Sequence, residues 1–342
     1  MSHRPHVSLW SQRVKAVKAN EERGRSIAVP QALSTELNRY LADYGLFTSH
    51  GLDLYLVPGN RFKKFEEAVG ILRELTYRQQ LSGSGRSHDL DSRDAYYDHF
   101  LLVERSSGEI AGCARLQFIP QQPERQQDGT RFIPTSHQSY LEHVYPGIKA
   151  KLTKRGNNLE IGRVALAPRF QRLPHTLMCL FRGGLQVALS SGYTSIHGLV
   201  SYNHFAYSDA VNNSFLSRLI RPPFAENNKS RPQPRHPHTG IRYSNELEYT
   251  STIQDLEKQI QVKLDSHFRL PILLRQYINL MGARVENLSL ALDFNQITEI
   301  LMSADLTRIP TTRLQHFTGF KHHAVYKKFE WYRGLDTGAG QC

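Results

Sequence analysis

Between residues 65 and 200 the apolar pattern switches between helical and strand periods, and that order limits the folds open to this chain more than any other feature. Phe65, Ala68, Val69 and Leu72 recur at helical spacing on one face. Phe100-Leu-Leu-Val-Glu104 and Ile110-Ala-Gly-Cys-Ala-Arg-Leu116 read as strands on either side of a Ser106-Ser-Gly108 turn, hence a hairpin. Leu159-Glu-Ile-Gly-Arg-Val-Ala165 is a further strand, stopped by Pro168. Thr176 to Ser190 reads as a helix closed by Gly192, and Tyr193 to Val200 as a strand. Five prolines fall within 221–238, which predicts an exposed loop. A helix around 251–281 and strands near 283–293 and 297–305 complete the pattern. No internal repeat is evident. Strands and helices interleaved in this order predict an α/β fold, with helices flanking a mixed central sheet.

The 342 residues carry 43 Lys and Arg against 31 Asp and Glu, a net charge of +12. No stretch approaches the ~18 consecutive apolar residues of a membrane span, and the first 30 residues lack the apolar run of a secretory signal. The three cysteines, Cys113, Cys179 and Cys342, make no disulfide framework and no CxxC, so a cytoplasmic setting is expected. The cations cluster at the two ends. Arg4, Arg13, Lys15, Lys18, Arg23 and Arg25 surround Trp10, Val14 and Val17 at helical spacing. Arg313, Lys321, Lys327, Lys328 and Arg333 interleave with Phe317, Phe320, Tyr326, Phe329, Trp331 and Tyr332. Such segments suit peripheral attachment to an anionic membrane surface. Nucleic acid is not expected as a partner, since no RNP, zinc or helix-turn-helix signature accompanies the charge.

The segment from Leu159 to Pro168 is the most informative for chemistry. A strand ending in a cationic turn (Arg169, Arg172) and opening a helix aims backbone N–H groups at an anion. If this strand splays from its neighbour, its unpaired N–H groups suit a thioester oxyanion. Glu160 and Arg163 sit within the strand at i and i+3, on opposite faces, and so need not pair. Asp89, Asp91, Asp94, Asp98 and His99 lack EF-hand spacing and the His pair of a zinc site, so capping and turn-making are expected of them, with no metal. His204 and Asp209 match an H-x4-D pattern without the phosphate-binding companions that would give it weight.

Together these residues resemble a known family. Arg73, Asp91-Ser-Arg-Asp94, Asp98-His99 and Gly112-Cys-Ala-Arg-Leu116 are similar to the opening motifs of the hemolysin-like N-acyltransferases of the GNAT superfamily, which acylate amino acids in ornithine- and glycine-lipid synthesis. Glu160-Ile-Gly-Arg163 resembles their E-[LI]-G-R signature, related to the E-x-x-R of N-acylhomoserine lactone and N-acyl amino acid synthases. His197-Gly-Leu-Val-Ser-Tyr202, Pro271-Ile-Leu-Leu-Arg-Gln-Tyr277, Gly282-Ala283 and Asp293-Phe-Asn295 follow in the family order. Cys113-Ala114 and Val164-Ala-Leu166 depart from it.

The resemblance implies a GNAT-like domain over 51–312 between a basic extension (1–50) and a basic aromatic tail (313–342). It implies transfer of a long acyl group, 3-hydroxyacyl included, from an acyl-carrier-protein thioester, or acyl-CoA, to the amine of an amino-acid acceptor, with no bound cofactor. The alternatives are an N-acylhomoserine-lactone-type synthase and a non-catalytic member of the fold that binds membrane or nucleic acid. Glu160 is expected to orient or deprotonate the amine and Arg163 to meet the acceptor carboxylate or the donor arm. Tyr202 is expected to protonate the leaving thiolate. Arg73, Asp98, His99, Arg115, Arg169 and Arg172 are the expected substrate contacts. The loop Gln171-Arg-Leu-Pro174-His-Thr176 has Pro174 and Thr176 where acetyl-CoA users of the superfamily place glycine, which favours a carrier-protein arm over a CoA pyrophosphate.

Overall fold

The computed structural model describes residues 32–80, 82–121, 138–227, 230–244 and 246–319. Its eight strands are β1 (Gly45–Ser49), β2 (Leu52–Val57), β3 (Asp98–Glu104), β4 (Ile110–Ile119), β5 (Asn158–Leu166), β6 (Ser195–Tyr202), β7 (Arg284–Ala291) and β8 (Ile297–Asp305). They form one open sheet in the order β1-β2-β3-β4-β5-β6-β8-β7. Neighbouring strands are antiparallel except β5 and β6, which are parallel. β3 and β4 are apolar over most of their length and buried on both faces, as central strands must be.

The helices are α1 (Thr35–Leu41), α2 (Glu66–Gln79), α3 (Tyr140–Val144), α4 (Ile148–Thr153), α5 (Pro174–Ser190), α6 (Asp209–Leu219), α7 (Ile253–Lys263), α8 (Ile272–Met281) and α9 (Thr311–Thr318). α5 starts on Pro174, whose missing N–H is unneeded in a first turn. It presses one face of the sheet closely enough that a Cβ on Gly184 would lie 2.9 Å from Ile161 Cδ1. α8 packs on the same face through Tyr277. α2, α3 and α4 cover the other face, where Arg73, Tyr140 and Leu141 approach Asp94, Arg115 and Glu160. Because strand residues alternate, Glu160 and Ile161 look into opposite layers.

Two expectations are corrected. The long helix expected over 251–281 is two helices: α7 ends at Lys263, and Pro271, which disfavours helical backbone at Leu270, is the N-cap from which α8 starts. The proline-rich loop is not simply exposed. Val285 N donates to Phe224 O (2.8 Å), Leu290 N to His236 O (2.9 Å) and Asn287 Nδ2 to Pro232 O (2.7 Å), so the segment straps the outer edge of β7. Prolines suit this strap, since they accept from the edge strand and offer few donors of their own.

The sheet also begins earlier than residue 51: β1 pairs with β2 through the His50-Gly51 turn. At the other end the expected limit at 312 falls within α9, whose Thr318 carbonyl accepts from Arg182 Nε and Gln186 Nε2 on α5. The basic segment over 1–25 and the aromatic tail from residue 320 lie outside the described residues. Among the described residues, no helix is long and apolar enough to cross a membrane.

Candidate active site

β5 and β6 hydrogen-bond only where Asn158, Leu159 and Glu160 face Ser195, Ile196 and His197; beyond that point they part. A bulge on β5 contributes. Cys113 of β4 faces Ala165 and Arg115 faces Gly162, so Arg163 and Val164 together stand against Ala114. Arg163 carries the strain, with φ at +51°, a conformation that costs a non-glycine residue about 1–3 kcal/mol. Its side chain is held firmly in return. Nε lies 3.2 Å from Asp89 Oδ2 and Nη2 3.5 Å from Asp91 Oδ2. The guanidinium also covers the Phe294 ring at 4.0 Å. Across the gap β6 presents Gly198, where a Cβ would come within 2.8 Å of Ile161 O and 3.1 Å of Tyr277 Oη. The parted strands open a cleft of about 310 Å³ whose lining reaches both faces of the sheet.

On the α3 side the cleft holds two buried carboxylates. Glu160 Oε1 accepts from Tyr97 Oη (2.7 Å) and from Leu141 N (3.2 Å), while Oε2 has no hydrogen-bond partner among the described residues. Burial pushes the Glu160 carboxyl above its ordinary pKa, against the pull of Tyr97. Glu299, on β8, accepts from Tyr140 Oη (3.0 Å) at Oε1, and Ser289 Oγ lies 3.4 Å from Oε2. Burial and the nearby Asp293 carboxylate push Glu299 up to about 7. Neither glutamate has a cationic partner within ion-pair distance among the described residues. Glu299 was not foreseen from the sequence; its only signal was a lone acid inside an apolar strand pattern.

On the α5 side the cleft meets two tyrosines. Tyr202 Oη donates to Asn212 Oδ1 (2.7 Å), which engages its proton away from the gap. Tyr277 Oη lies beside Gly198 at the gap itself, and burial raises its pKa. Below Tyr277 a small apolar recess of about 20 Å³ lies between α5, α8 and the sheet, lined by Ile161, Val164, Leu177, Phe181, Ile196 and Met281.

Behind the bulge lies an ionic network in which Arg73, Arg115, Arg163 and Arg93 meet Asp89, Asp91 and Asp94. Asp94 accepts from Arg73 (2.8 Å) and Arg115 (3.1 Å), and Asp91 accepts from Arg115 (2.9 Å). Asp89 and Asp91 receive Arg163. Burial works against ionised Asp94, yet Arg73 and Arg115 hold its carboxyl well below the usual range. Asp91 and Asp94 also form a capping box on the 3-10 turn at Ser92–Tyr96, the capping role expected of them. His99 stacks on Phe62 with ring centroids 3.4 Å apart. Its Nε2 meets the Asp94 carbonyl (2.7 Å), which can only accept, so the proton sits on Nε2 and Nδ1 accepts from Arg73 (3.3 Å). Burial and then Arg73 lower His99 to about 3, keeping it neutral. Asp98 Oδ1 accepts from Gly59 N at 3.3 Å.

The expected site residues therefore divide. Glu160, Arg163, Arg115 and Tyr202 line the cleft. Arg73, Asp98 and His99 lie behind it. Arg169 is tied to Glu104 (2.6 Å) and Glu109 (3.0 Å) at the β3–β4 turn, and Arg172 is exposed before α5; neither lines the cleft. The cation at the mouth is Arg269, which the sequence did not single out. His204 and Asp209 do not line it either, and Asp209 opens α6.

Residues 72–181 match the family described as the acetyltransferase (GNAT) domain. The fold is GNAT-like: mixed α/β, with an open eight-stranded sheet flanked by helices. No curated protein matches the sequence. Among solved structures, the chain is similar to the N-acyl amino acid synthase FeeM from uncultured soil microbes, at 11% identity and a TM-score of 0.37, covering 75% of this chain and 92% of that one. It is also similar to the CoA-dependent acyl-homoserine lactone synthase BjaI with SAM and isopentyl-CoA, at 12% identity and a TM-score of 0.39, covering 80% and 92%. A third is the loading GNATL domain of CurA from Lyngbya majuscula, at 15% identity and a TM-score of 0.36, covering 75% and 98%.

Proposed function

We propose that this chain is an acyltransferase that moves a long acyl group from a carrier-protein-type thioester to the amine of an amino acid, giving an N-acyl amino acid. The observation that carries this reading is the gap where β5 and β6 part, with a buried, half-unpartnered carboxylate (Glu160) on one side and a tyrosine hydroxyl (Tyr277) on the other. The GNAT family match supports it. In this mechanism the thioester lies in the gap, its carbonyl oxygen toward backbone N–H groups of the bulge that have no β6 partner. The amine approaches from the Glu160 side and attacks the carbonyl carbon directly. The C–S bond breaks, the leaving thiolate takes the Tyr277 proton, and the second proton lost by the attacking nitrogen restores the Tyr277 hydroxyl. Overall an ammonium and a thioester become an amide, a thiol and one released proton.

Holding the amine and the thioester carbonyl together in one gap replaces a bimolecular encounter, so orientation supplies much of the rate. Tyr277 replaces Tyr202 as the acid in this reading because the Tyr202 proton is engaged by Asn212. Arg73, His99 and Arg115 act through the network as positioning residues. Arg163 holds the bulge, and Arg269 is the cation for an acceptor carboxylate or the donor phosphate. A carrier-protein donor fits two features: the missing glycines at Pro174 and Thr176, and the basic chain, whose charge suits an acidic docking partner. Expression in a host that lacks aminolipids, followed by lipid mass spectrometry, tests the proposal. It expects a new N-acyl amino acid that disappears in Glu160→Gln; no new lipid with folded wild-type protein would contradict it.

A further inference from the structure

The two carboxylates of the cleft differ in their neighbours, and one of them is joined through a single hydroxyl to an exposed acid. Glu160 is met by the Tyr97 hydroxyl and the Leu141 amide, both buried. The Tyr97 oxygen is in turn met by the amide of Tyr140 (2.8 Å). Glu299 is different. It is 4% exposed, yet the hydroxyl that touches it, Tyr140 Oη at 3.0 Å, also lies 3.2 Å from Oδ1 of Asp293. Asp293 is exposed, in the turn between β7 and β8. One phenol thus bridges a carboxylate inside the cleft and another in solvent.

We propose that Glu299 takes the proton from the acceptor ammonium and that Tyr140 passes it to Asp293 and so to water. This rests on the acyl-transfer reading above and assigns Glu160 to orientation of the amine. In the first step an N–H bond of the ammonium breaks and an O–H bond forms on Glu299, leaving the neutral amine to attack. In the second, Glu299 returns that proton to Tyr140 Oη as the phenol's own proton moves to Asp293 Oδ1. Asp293 then releases it to water, and all three groups regain their starting charge. A phenol relays in this way because its oxygen accepts while its hydrogen is donated. A base that titrates close to the working pH is also the efficient one.

The groups facing Glu299 are Tyr140, Tyr145, Asp293, Ser289 and Arg163. Asp293 disfavours the charged form of Glu299, while the Tyr140 hydrogen bond favours it. The two relay residues therefore shift the Glu299 titration in opposite directions, and a relay further requires that both variants lower the plateau rate above the acid limb, which a change of pKa alone would not do. The test is the pH profile of kcat/KM for acyl transfer to an α-amine in wild type, Asp293→Asn, Tyr140→Phe and Glu299→Gln. The acid limb in wild type should belong to Glu299 and the alkaline limb to the free ammonium. Asp293→Asn should move the acid limb to lower pH and Tyr140→Phe to higher pH, with the alkaline limb unmoved. Glu299→Gln should lose the acid limb and about 100-fold in rate. Asp293 is a surface residue, so its variant keeps the test open if the others fold poorly. Acyl transfer with coincident acid limbs in wild type, Asp293→Asn and Tyr140→Phe would overturn the relay alone. No transfer by folded wild type would overturn the reading beneath it as well.

Discussion

Asp94→Asn should cost about 3–5 kcal/mol of folding stability at pH 7, the range for breaking a buried ion pair by removing one partner. The magnitude follows from what Asp94 holds. Its side chain is 3% exposed and receives Arg73 Nη1 at 2.8 Å and Arg115 Nη1 at 3.1 Å. Its second oxygen takes the Asp91 amide at 2.9 Å. Asparagine keeps the size but removes the charge, and its amide nitrogen would point donors at donors. Buried Arg73 would lose the carboxylate it pairs with, and Arg115 would keep only Asp91, which already receives Arg163 and Arg93. Because the folded Asp94 pKa is depressed, its stabilisation is fully present above the ordinary carboxylate value of ~3.9 and is lost as pH falls through the lower folded value. Wild type should therefore keep its advantage over the variant from pH 7 to about pH 4, and the gap should close only in stronger acid. Urea unfolding of both proteins across that range, with unchanged m, measures it. A loss below about 1 kcal/mol at pH 7 would refute the claim that the network is an interdependent buried unit.

Three further outcomes follow from the geometry of the gap. Arg163→Gly should be more stable than Arg163→Ala by about 1 kcal/mol, since glycine accepts the +51° φ that alanine resists; equal midpoints in urea would contradict a strained bulge. Gly198→Ala should lower kcat/KM about 100-fold by displacing Tyr277 and the Ile161 carbonyl, and a wild-type rate would place the thioester elsewhere. Tyr277→Phe should lower kcat about 100-fold while Tyr202→Phe changes it little; the reverse order would restore Tyr202 as the acid.

The sheet and its site were legible in the sequence to different degrees. The β3–β4 hairpin, β5, α5 and β6 were readable because apolar period and turn chemistry agree there, from the Ser106-Ser-Gly108 turn to Gly192. The pair β1–β2 was missed because β1 is short and largely exposed, and thus lacks a buried alternation. The strap over β7 was read as loop because prolines mark irregular backbone but do not say what edge it covers. At the site, Glu160 and Arg163 stood out as charges inside a strand. The bulge at Arg163 and Val164 was not readable, since Arg163 is an improbable residue for positive φ and is held there by Asp89, Asp91 and Phe294, distant in sequence. Tyr277 and Glu299 become functional candidates only when α8 and β8 bring them to the gap. Arg169 looked like a phosphate ligand until Glu104 and Glu109 came within reach through the hairpin.

The most direct test of acyl transfer at the β5–β6 gap is a steady-state assay of purified protein with one long acyl chain presented on acyl carrier protein and on CoA. Free thiol and N-acyl amino acid are measured together. The account predicts one thiol per amide formed, a higher kcat/KM for the carrier-protein donor that falls as salt screens docking, and loss of both products in Glu160→Gln. Thiol release without amide, or no turnover of either donor with any amino acid, would contradict it.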